Sequence, residues 1–210
     1  MENKDIKPIF YGNHRTRKLL SKNLGKLTIT STSFANSLLE NKKKILEIGF
    51  GDGRSIIELE RENSKYYYCI ESYHKGIQNL NNHIEKNRLS NIFVVYGDAV
   101  VVVEEEFNDD MLDEIKIFFP DPWPKKKHHK RRILNNYSLK MFLSKIKKNG
   151  RFHFATDHID YAYTVKNLLS NILKKKIEFM NSRGNRPLTD YEFKAYRKKN
   201  LVFDIIIEKS

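Results

Sequence analysis

Strand-like and helix-like segments alternate along most of this 210-residue chain. The predicted strands are Lys44–Ile48, Tyr66–Ile70, Ile92–Tyr96, Glu114–Phe119 and Arg151–Thr156. The predicted helices are Gly53–Glu62, His74–Asn87, Val100–Glu106, Arg131–Lys147 and Ile159–Leu173. Because parallel strands need a long crossover connection, usually a helix, this alternation predicts an α/β fold. We expect a mostly parallel sheet with helices on both faces.

The two ends of the chain depart from this alternation. Lys176–Met180 and Leu201–Ile207 are strand-like and are separated by a loop with a short helix. They predict a closing antiparallel pair, which brings the sheet to seven strands with an antiparallel C-terminal strand. Residues 1–30 are polar and basic without clear periodicity, and predict an arm that becomes ordered on its partner. With no internal repeat or linker, residues 31–210 are expected to form one domain.

The charge of the chain is strongly positive, with a formal net charge of +13. A genome biased toward lysine codons would account for part of this excess, but the cations are also clustered. The clusters are Arg15 to Lys26, Lys125 to Arg132 and Lys194 to Lys199. Clustered cations that face a polyanion gain affinity by counterion release. Nucleic acid is therefore the leading candidate for the partner.

Other features of the sequence exclude several classes of protein. The one cysteine, Cys69, cannot form an internal disulfide, and no Cys/His spacing is typical of a zinc site. No apolar run reaches the roughly 18 residues that a membrane span needs. No signal peptide is apparent at the start of the sequence. We therefore expect a cytoplasmic protein that needs no metal and no membrane.

Three glycines at every second position, Gly49, Gly51 and Gly53, directly follow the first predicted strand. Glycines there allow a sharp turn and let a ligand approach the backbone closely. A dinucleotide fingerprint, G-x-G-x-x-G, would need glycine at position 54, where this chain has Arg54. The sequence also lacks the Lys-Ser/Thr pair of a P-loop. The turn therefore fits a nucleoside ligand without a phosphate chain better than NAD.

Three acids stand at the ends of three successive predicted strands. Glu47, just before the glycine turn, suits the cationic amino-acid end of such a ligand. Glu71 is placed to accept hydrogen bonds from a ribose diol. Asp98 is placed to accept a hydrogen bond from an adenine amino group. Glu71 or Asp98 alone would more often be a helix N-cap or a solvated strand end, so the joint arrangement carries the cofactor hypothesis.

The fourth predicted strand leads into a loop that carries Asp121 and Trp123, followed by the basic run from Lys125 to Arg132. A carboxylate and an indole at the edge of a basic surface indicate a reaction site beside bound nucleic acid. Trp123 is either a stacking platform for a base or a core residue beside the loop. The basic run is either a phosphate clamp or a solvated helix start.

Five segments together resemble the bacterial tRNA (guanine-N7)-methyltransferase family. They are Glu47-Ile-Gly-Phe-Gly51, Gly97-Asp98-Ala99, the Phe-Phe-Pro-Asp-Pro-Trp segment with its basic tail (118–132), Ala155-Thr156-Asp157 and the Arg-Pro-x-Thr-x-Tyr-Glu segment (186–192). The resemblance implies a Rossmann-like class I methyltransferase fold. It also implies transfer of a methyl group from S-adenosyl-L-methionine to N7 of the variable-loop guanosine of tRNA, position 46. The partner would be tRNA, and the protein a monomer or a homodimer.

The resemblance further implies roles for individual residues. Asp121 falls on the presumed catalytic position. The implied cofactor-binding residues are Glu47, Gly49, Gly51, Glu71, Asp98, Ala99 and Asp121. The implied substrate-binding residues are Lys125, Asp157, Thr189, Asp190, Tyr191 and Glu192. The chain departs from the family at Asp190-Tyr191, where Lys-Phe is usual, and Thr189-x-x-Glu192 is also a capping-box pattern.

Two other functions remain open on sequence grounds. An acid followed by proline and an aromatic after the fourth strand is also typical of enzymes that methylate the N6 amino group of adenine, although the order here fits that motif less well. A non-catalytic RNA-binding protein on the same fold is the other alternative. The acids at positions 47, 71, 98 and 121 argue against it, because a pocket that had lost its cofactor would have no reason to keep them all.

Overall fold

The computed structural model describes residues 32–59 and 64–210. The predicted basic arm at residues 1–30 lies outside the described residues, as does the end of the predicted helix Gly53–Glu62. Within the described ranges, no helix combines the length and apolar character needed to cross a bilayer.

The chain forms six strands and seven α-helices within the described residues. The strands are β1 (Lys43–Ile48), β2 (Lys65–Glu71), β3 (Ile92–Tyr96), β4 (Leu112–Phe118), β5 (Ile146–Thr156) and β6 (Phe203–Glu208). The α-helices are α1 (Thr32–Leu39), α2 (Arg54–Leu59), α3 (His74–Asn87), α4 (Ala99–Glu106), α5 (Asn136–Lys145), α6 (Ile159–Leu173) and α7 (Asp190–Arg197). A 3-10 helix covers Lys126–Arg131.

The strands form one sheet in the order β3-β2-β1-β4-β5-β6. All neighbouring pairs are parallel except β5 and β6, which are antiparallel. This confirms the Rossmann-like, mostly parallel sheet with an antiparallel C-terminal strand. The chain order reverses between β1 and β4, and in open α/β sheets ligands bind outside the carboxyl ends of the strands at such a switch point.

Side chains of successive strand residues enter two separate cores. In β2, Tyr68 and Ile70 join a core that contains residues of α4, α5 and α6. Tyr67 and Cys69 join a second core that contains residues of α2 and α3. Since strand side chains alternate between faces, a strand covered by helices on both sides must be apolar throughout. The expected helices on both faces are confirmed.

The seven-strand expectation was wrong by one strand. Lys176–Met180 has no strand structure, although the N–H of Met180 donates to the carbonyl of Asp204 in β6 at 2.8 Å. Ile177 is buried in the core and Phe179 packs against it. The alternating apolar residues of this segment therefore pack against the core from a loop beside β6, and the segment does not pair with β6 as a strand.

The predicted helix Arg131–Lys147 was wrong at both ends. The helix α5 begins only after Asn135, whose side chain caps it by accepting from the N–H of Ser138 at 3.0 Å. It ends at Lys145, and the chain passes directly into β5. Asn149, two residues beyond the end of the predicted helix, lies inside β5 with a left-handed φ of 61°. Ile133 and Leu134 fit the apolar spacing of the helix but pack against the core from the preceding loop, which is why the helix was predicted to begin too early.

Candidate active site

The glycine turn after β1 has the backbone that its sequence predicts. Gly49, Gly51 and Gly53 have φ angles of 76°, 62° and 85°, a region that residues with a side chain rarely adopt. A fourth glycine, Gly76 in α3, lies against the turn: a Cβ there would stand 1.7 Å from the carbonyl oxygen of Gly51. The turn is therefore held between the end of β1 and the start of α3.

A cavity of about 400 Å³ opens at the carboxyl ends of the parallel strands. Its walls are the segments that directly follow β1, β2, β3 and β4, together with Arg131, Ile133 and Tyr191. Of the predicted cofactor residues, it is lined by Gly49, Gly51, Glu71, Asp98, Ala99 and Asp121. These six residues stand at or just after the carboxyl ends of four strands, β1 to β4, and the fold brings them to one site.

Glu71 fastens the glycine turn to the end of β2. Its Oε2 accepts from the N–H of Gly51 at 2.8 Å. Its Oε1 accepts from the N–H groups of Ser72 and Tyr73 at 2.6 and 3.0 Å. The hydroxyl of Ser72 also donates to Oε1, at 3.4 Å. Each carboxylate oxygen offers about two acceptor positions, so Oε2, which accepts one bond, is the oxygen with capacity for a ligand hydroxyl.

Glu47 is buried, with 3% of its surface exposed. Its Oε1 accepts from the hydroxyl of Ser55. Its Oε2 has no hydrogen-bond partner among the described residues, and burial raises the pKa of the carboxyl group. Glu47 lines a second cavity of about 320 Å³ beside the first. A buried acceptor without a partner costs about 1–3 kcal/mol, so this oxygen is suited to a ligand that donates hydrogen bonds.

Asp98 is the N-cap of α4. Its Oδ1 accepts from the N–H of Val100 at 2.9 Å, and Asp98 and Ala99 both line the larger cavity. The capping role that the sequence left open is therefore present. A contact with an adenine ring stays a prediction.

The loop after β4 carries Asp121 to the rim of the larger cavity. Phe119 and Trp123, on either side of the Pro-Asp-Pro sequence, have left-handed φ angles of 49° and 42°. Non-glycine residues with such angles are uncommon and concentrate at functional sites. Asp121 is exposed, and no described residue forms a hydrogen bond with it in this structure.

Arg132 anchors this loop from inside the protein. Its Nε donates to the carbonyl of Pro122 at 2.8 Å, and its Nη2 pairs with Asp160 of α6 at 2.5 Å. Its guanidinium lies 4.7 Å from the ring centre of Tyr161, and the side chain is 2% exposed. The hypothesis that the whole run from Lys125 to Arg132 clamps phosphates was therefore wrong for Arg132, because its side chain is buried and bonded to partners within the protein.

Trp123 is half-buried and lines the larger cavity. The guanidinium of Arg131 lies 4.8 Å from the centre of its ring, and the ring of His128 meets it edge-on at 5.8 Å. Trp123 is thus neither a core residue nor an isolated platform. The side chains of the basic run that face solvent are Lys125, Lys126, Lys127 and Lys130.

The start of α7 covers the second cavity, which is lined by Thr189, Asp190 and Tyr191. The hydroxyl of Thr189 accepts from the N–H of Glu192 at 3.1 Å, which is the helix-capping half of the predicted capping box. Asp190 pairs with Nη1 of Arg54, next to the glycine turn, at 2.6 Å. Tyr191 lines both cavities, so its ring lies between them.

Glu192 lies inside the protein. Its carboxylate accepts from Nη1 of Arg186 and, at 2.6 Å, from the hydroxyl of Tyr196. Arg186 also forms two hydrogen bonds to Asp204 of β6, at 2.6 and 2.9 Å. Asp204 also accepts a hydrogen bond from Nε2 of His153 at 2.8 Å. Glu192 therefore belongs to a buried charge network, and is not among the residues that line either cavity.

Two further predicted substrate residues lie outside both cavities. Asp157 follows β5, and its Oδ2 accepts from the side-chain amide of Asn200 at 3.1 Å. Lys125 is exposed and precedes the 3-10 helix. The fold brings Thr189, Asp190 and Tyr191 to the second cavity beside the glycine turn, whereas Lys125 and Asp157 line neither cavity and Glu192 is buried.

The crevice formed by the two cavities is lined by several acidic residues, although the chain as a whole is strongly basic. Burial raises the pKa of Tyr191, and the nearby carboxylates of Glu71, Asp121 and Asp52 raise it further. Glu47 and Asp98 add two more acids to the lining. A concentration of carboxylates in a protein of net charge +13 favours a ligand that carries positive charge.

The residues of the site that sequence reasoning missed include Tyr73, Phe119 and Arg54. Tyr73 and Phe119 line both cavities, and Arg54 lines the second. Phe119 ends a predicted strand and Tyr73 follows another by three residues, a signal that would have found them. Arg54 is recognisable only through its pairing with Asp190, far away in sequence. Across residues 32–59 and 64–210, no cluster of three or more His, Cys, Asp or Glu side chains has the arrangement of a metal site.

The fold and the glycine turn define a Rossmann-like methyltransferase. Three solved structures support this class at the level of the fold. An antibiotic-related methyltransferase superposes with a TM-score of 0.64 at 20% identity, covering 86% of this chain and 96% of that one. A SAM-dependent methyltransferase from Aquifex aeolicus gives 0.54 at 12% identity, covering 96% and 100%. A methyltransferase from Streptococcus mutans, solved in complex with SAH, gives 0.53 at 11% identity, covering 87% and 100%.

Sequence comparison narrows the class to a family. The family model Methyltransf_4, described as "Putative methyltransferase", matches residues 41–205. The tRNA (guanine-N(7)-)-methyltransferase of Francisella philomiragia is 37% identical over 183 residues, 85% of this chain and 80% of that protein. The enzyme of the same name from Nitrosomonas europaea is 35% identical over 170 residues, 79% and 76%. The chain belongs to the tRNA (guanine-N7)-methyltransferase family.

Proposed function

We propose that this protein transfers a methyl group from S-adenosyl-L-methionine to N7 of guanosine 46 in the variable loop of tRNA. The observation that carries the proposal is an acidic crevice in a strongly basic protein. Both the methyl donor and the methylated purine are positively charged at the reacting group, whereas the tRNA is a polyanion. The names of the relatives support the guanine-N7 reaction. The cytoplasmic location and the choice of monomer or homodimer stay predictions.

The residues present fit the methyl donor. Glu47 has a buried carboxylate oxygen without a partner among the described residues, which suits the donor's ammonium group. Glu71, Asp98 and Ala99 line the larger cavity, where Glu71 would accept from the ribose diol and Asp98 with Ala99 would contact the adenine. Gly49 and Gly51 leave the backbone open to close approach. When bound, S-adenosylmethionine supplies an electrophilic methyl group on a positively charged sulfur.

The chemistry explains why no strong general base stands in the crevice. Guanine N7 already has a free lone pair, so it loses no proton when it attacks the methyl carbon. Alignment of the reacting atoms then contributes on the order of 7–11 kcal/mol. Asp121, at the rim of the crevice, stabilises the positive charge that develops on the purine.

The target base must leave the stack to react. In A-form RNA the N7 edge lies in a groove too narrow for side chains. We expect the flipped base to contact Trp123, a stacking contribution of about 1–3 kcal/mol. Asp157 accepts from the N1–H and N2–H₂ groups of guanine, which adenine lacks. Lys125 binds phosphate, and Thr189, Asp190 and Tyr191 close the crevice over the base.

One experiment separates this function from its two rivals. The protein is incubated with labelled S-adenosylmethionine and unmodified tRNA, and the RNA is then treated with borohydride and aniline. Strand cleavage at position 46 identifies N7-methylguanosine there, and a transcript with adenosine at 46 should accept no label. Label without cleavage would indicate amino methylation. Absence of label would indicate a non-catalytic RNA-binding protein.

A variant tests the role of Asp121. Asp121→Ala should abolish transfer while leaving tRNA affinity nearly intact, because the carboxylate acts on a charge that the purine acquires only through the reaction and does not carry in unmodified tRNA. Asp109→Ala is the matched control: Asp109 precedes β4, at the opposite edge of the sheet, where it pairs with Lys145. Loss of tRNA binding with normal turnover in Asp121→Ala would contradict the role.

A further inference from the structure

The outward side of α7 combines aromatic rings and cations. Phe193 and Tyr196 are 47% and 53% exposed. Phe193 and Arg197 are four residues apart and so share one face of the helix. Lys194 and Arg197 are exposed. Interleaved rings and cations on one exposed surface are the usual means of binding single-stranded nucleic acid, because rings stack on bases and cations follow the backbone.

The cations of this surface have no acidic partner among the described residues. No ion pair joins Lys194, Arg197, Lys198 or Lys199 to a described carboxylate, whereas Asp190, at the crevice end of the helix, is already paired with Arg54. Surface cations that are already neutralised by acids have little to offer a polyanion. These four side chains therefore keep their full charge and can bind the phosphates of a polyanion.

The helix is held firmly in place from below. Glu192 and Ala195 are its buried residues, and Glu192 is tied to Arg186. Asn200, just beyond the helix, donates to Asp157 at the end of β5. The exposed rings are therefore a fixed surface and do not fold back into the core.

The position of α7 relates this surface to the reaction site. The helix begins at the crevice, where Asp190 and Lys194 line the second cavity. It ends beside Asp157, one of the proposed guanine contacts. The exposed lysines of the 3-10 helix follow the Asp121 loop, which forms another wall of the crevice.

We infer that the outward side of α7, with Phe193, Tyr196, Arg197, Lys198 and Lys199, is a second RNA-contact surface. It binds the nucleotides that flank the methylated guanosine, with Phe193 stacking on a base and the cations on phosphates. The inference rests on the proposed function, and adds that tRNA is gripped from α7 as well as from the 3-10 helix. Charge complementarity favours RNA over a second copy of this chain, which is itself strongly basic.

The test compares two charge-matched triple variants of the full chain. Arg197→Gln/Lys198→Gln/Lys199→Gln removes three cations from the α7 surface. Lys148→Gln/Lys174→Gln/Lys175→Gln removes three exposed cations near the start of β5 and the end of α6, at the opposite edge of the sheet. Binding of tRNA transcript is measured over a series of salt concentrations. Each lost phosphate contact lowers the slope of log affinity against log salt by about 0.7–0.9.

We expect the α7 triple variant to lose about two units of slope and the control triple to keep most of the wild-type slope. Phe193→Ala should weaken tRNA binding on the order of tenfold with the slope unchanged, because stacking is not ionic. Binding of S-adenosylhomocysteine should be the same in all variants, which shows that the site is intact.

Equal slopes in the two triple variants would overturn the inference. So would a wild-type dimer that Phe193→Ala dissociates without changing tRNA affinity, since the surface would then be a protein interface. Failure of the proposed function is a separate result: the wild-type protein would transfer no methyl group to tRNA, whatever the variants bind.

Discussion

Removal of the Arg186 guanidinium should destabilise the protein in a pH-dependent way. Arg186 is completely buried and holds Glu192 of α7 and Asp204 of β6, whose side chains are 1% and 4% exposed. Arg186→Met keeps similar bulk and leaves two carboxylates buried without their cation. Breaking a buried ion pair from one side costs about 3–5 kcal/mol.

The expected magnitude can be measured as a melting temperature. For a domain of 150–250 residues, 1 kcal/mol shifts Tm by about 2–4 °C, so Arg186→Met should lower Tm by roughly 6–20 °C at neutral pH. Arg183→Met is the matched control. Arg183 stands 3.9 Å from Glu192 but is 43% exposed, so solvent screens its charge and we expect the pair to contribute less than about 1 kcal/mol.

The sign of the pH dependence follows from Asp204. Burial alone would raise its pKa, but the hydrogen bonds from Arg186 and His153 lower it below the ordinary value. In the wild type, Asp204 therefore contributes stability above its unfolded pKa, and this contribution is lost as pH falls through the lowered pKa. In Arg186→Met, burial dominates and the pKa of Asp204 rises, so the variant gains stability as pH falls through that raised value.

Thermal unfolding from about pH 7.5 down to about pH 5, followed by circular dichroism, checks this reasoning. The difference in Tm between wild type and Arg186→Met should be largest at the higher pH and should shrink on acidification. A difference that stays constant, or that is no larger than the effect of Arg183→Met, would refute the idea that two buried carboxylates depend on this one cation.

Three further predictions concern the glycine turn and the residues that contact it. Glu47→Gln should raise the Tm of the ligand-free protein at about pH 8, because burial raises the pKa of Glu47 and its charged form therefore lowers stability at that pH. The same variant should bind S-adenosylhomocysteine more weakly, and calorimetry that shows unweakened binding would contradict the contact with the ligand's ammonium group. Arg54→Asp and Asp190→Arg should each weaken cofactor binding up to about fivefold, a small effect because the pair is half-exposed. The double variant should restore cofactor binding, and equally weak binding in the double variant would exclude the pairing. Gly76→Ala should impair cofactor binding severely, because its Cβ would meet the Gly51 carbonyl, and an unchanged dissociation constant would show that the turn can move aside.

The sheet and the assembly of the crevice could be predicted because both follow from local signals. Each of the five predicted parallel strands is an apolar run that the structure keeps to within a few residues, except for the early start of β5. Once the strands are parallel, residues at their carboxyl ends must lie together. For this reason the sequence alone predicts that Glu71, Asp98 and Asp121 lie at one site, and all three line the larger cavity.

Other parts of the site depend on contacts that local sequence does not contain. Arg54 and Asp190 are 136 positions apart, and nothing in either segment identifies the other. Arg132 stands in an unbroken basic run, where composition cannot separate the one buried arginine from its exposed neighbours. The apolar residues Ile133 and Leu134 continued a helical period although they pack from a loop.

The burial of Arg132 at the end of a solvent-facing run constrains how this segment can change in evolution. The exposed lysines can be exchanged for one another or for arginine, because phosphate binding tolerates different side chains and positions. The number of residues between Asp121 and Arg132 has no such freedom, since Arg132 is bonded both to the carbonyl of Pro122 and to α6. An insertion or deletion here would displace Asp121 from the rim of the larger cavity, so natural variants of this segment should differ in composition but not in length.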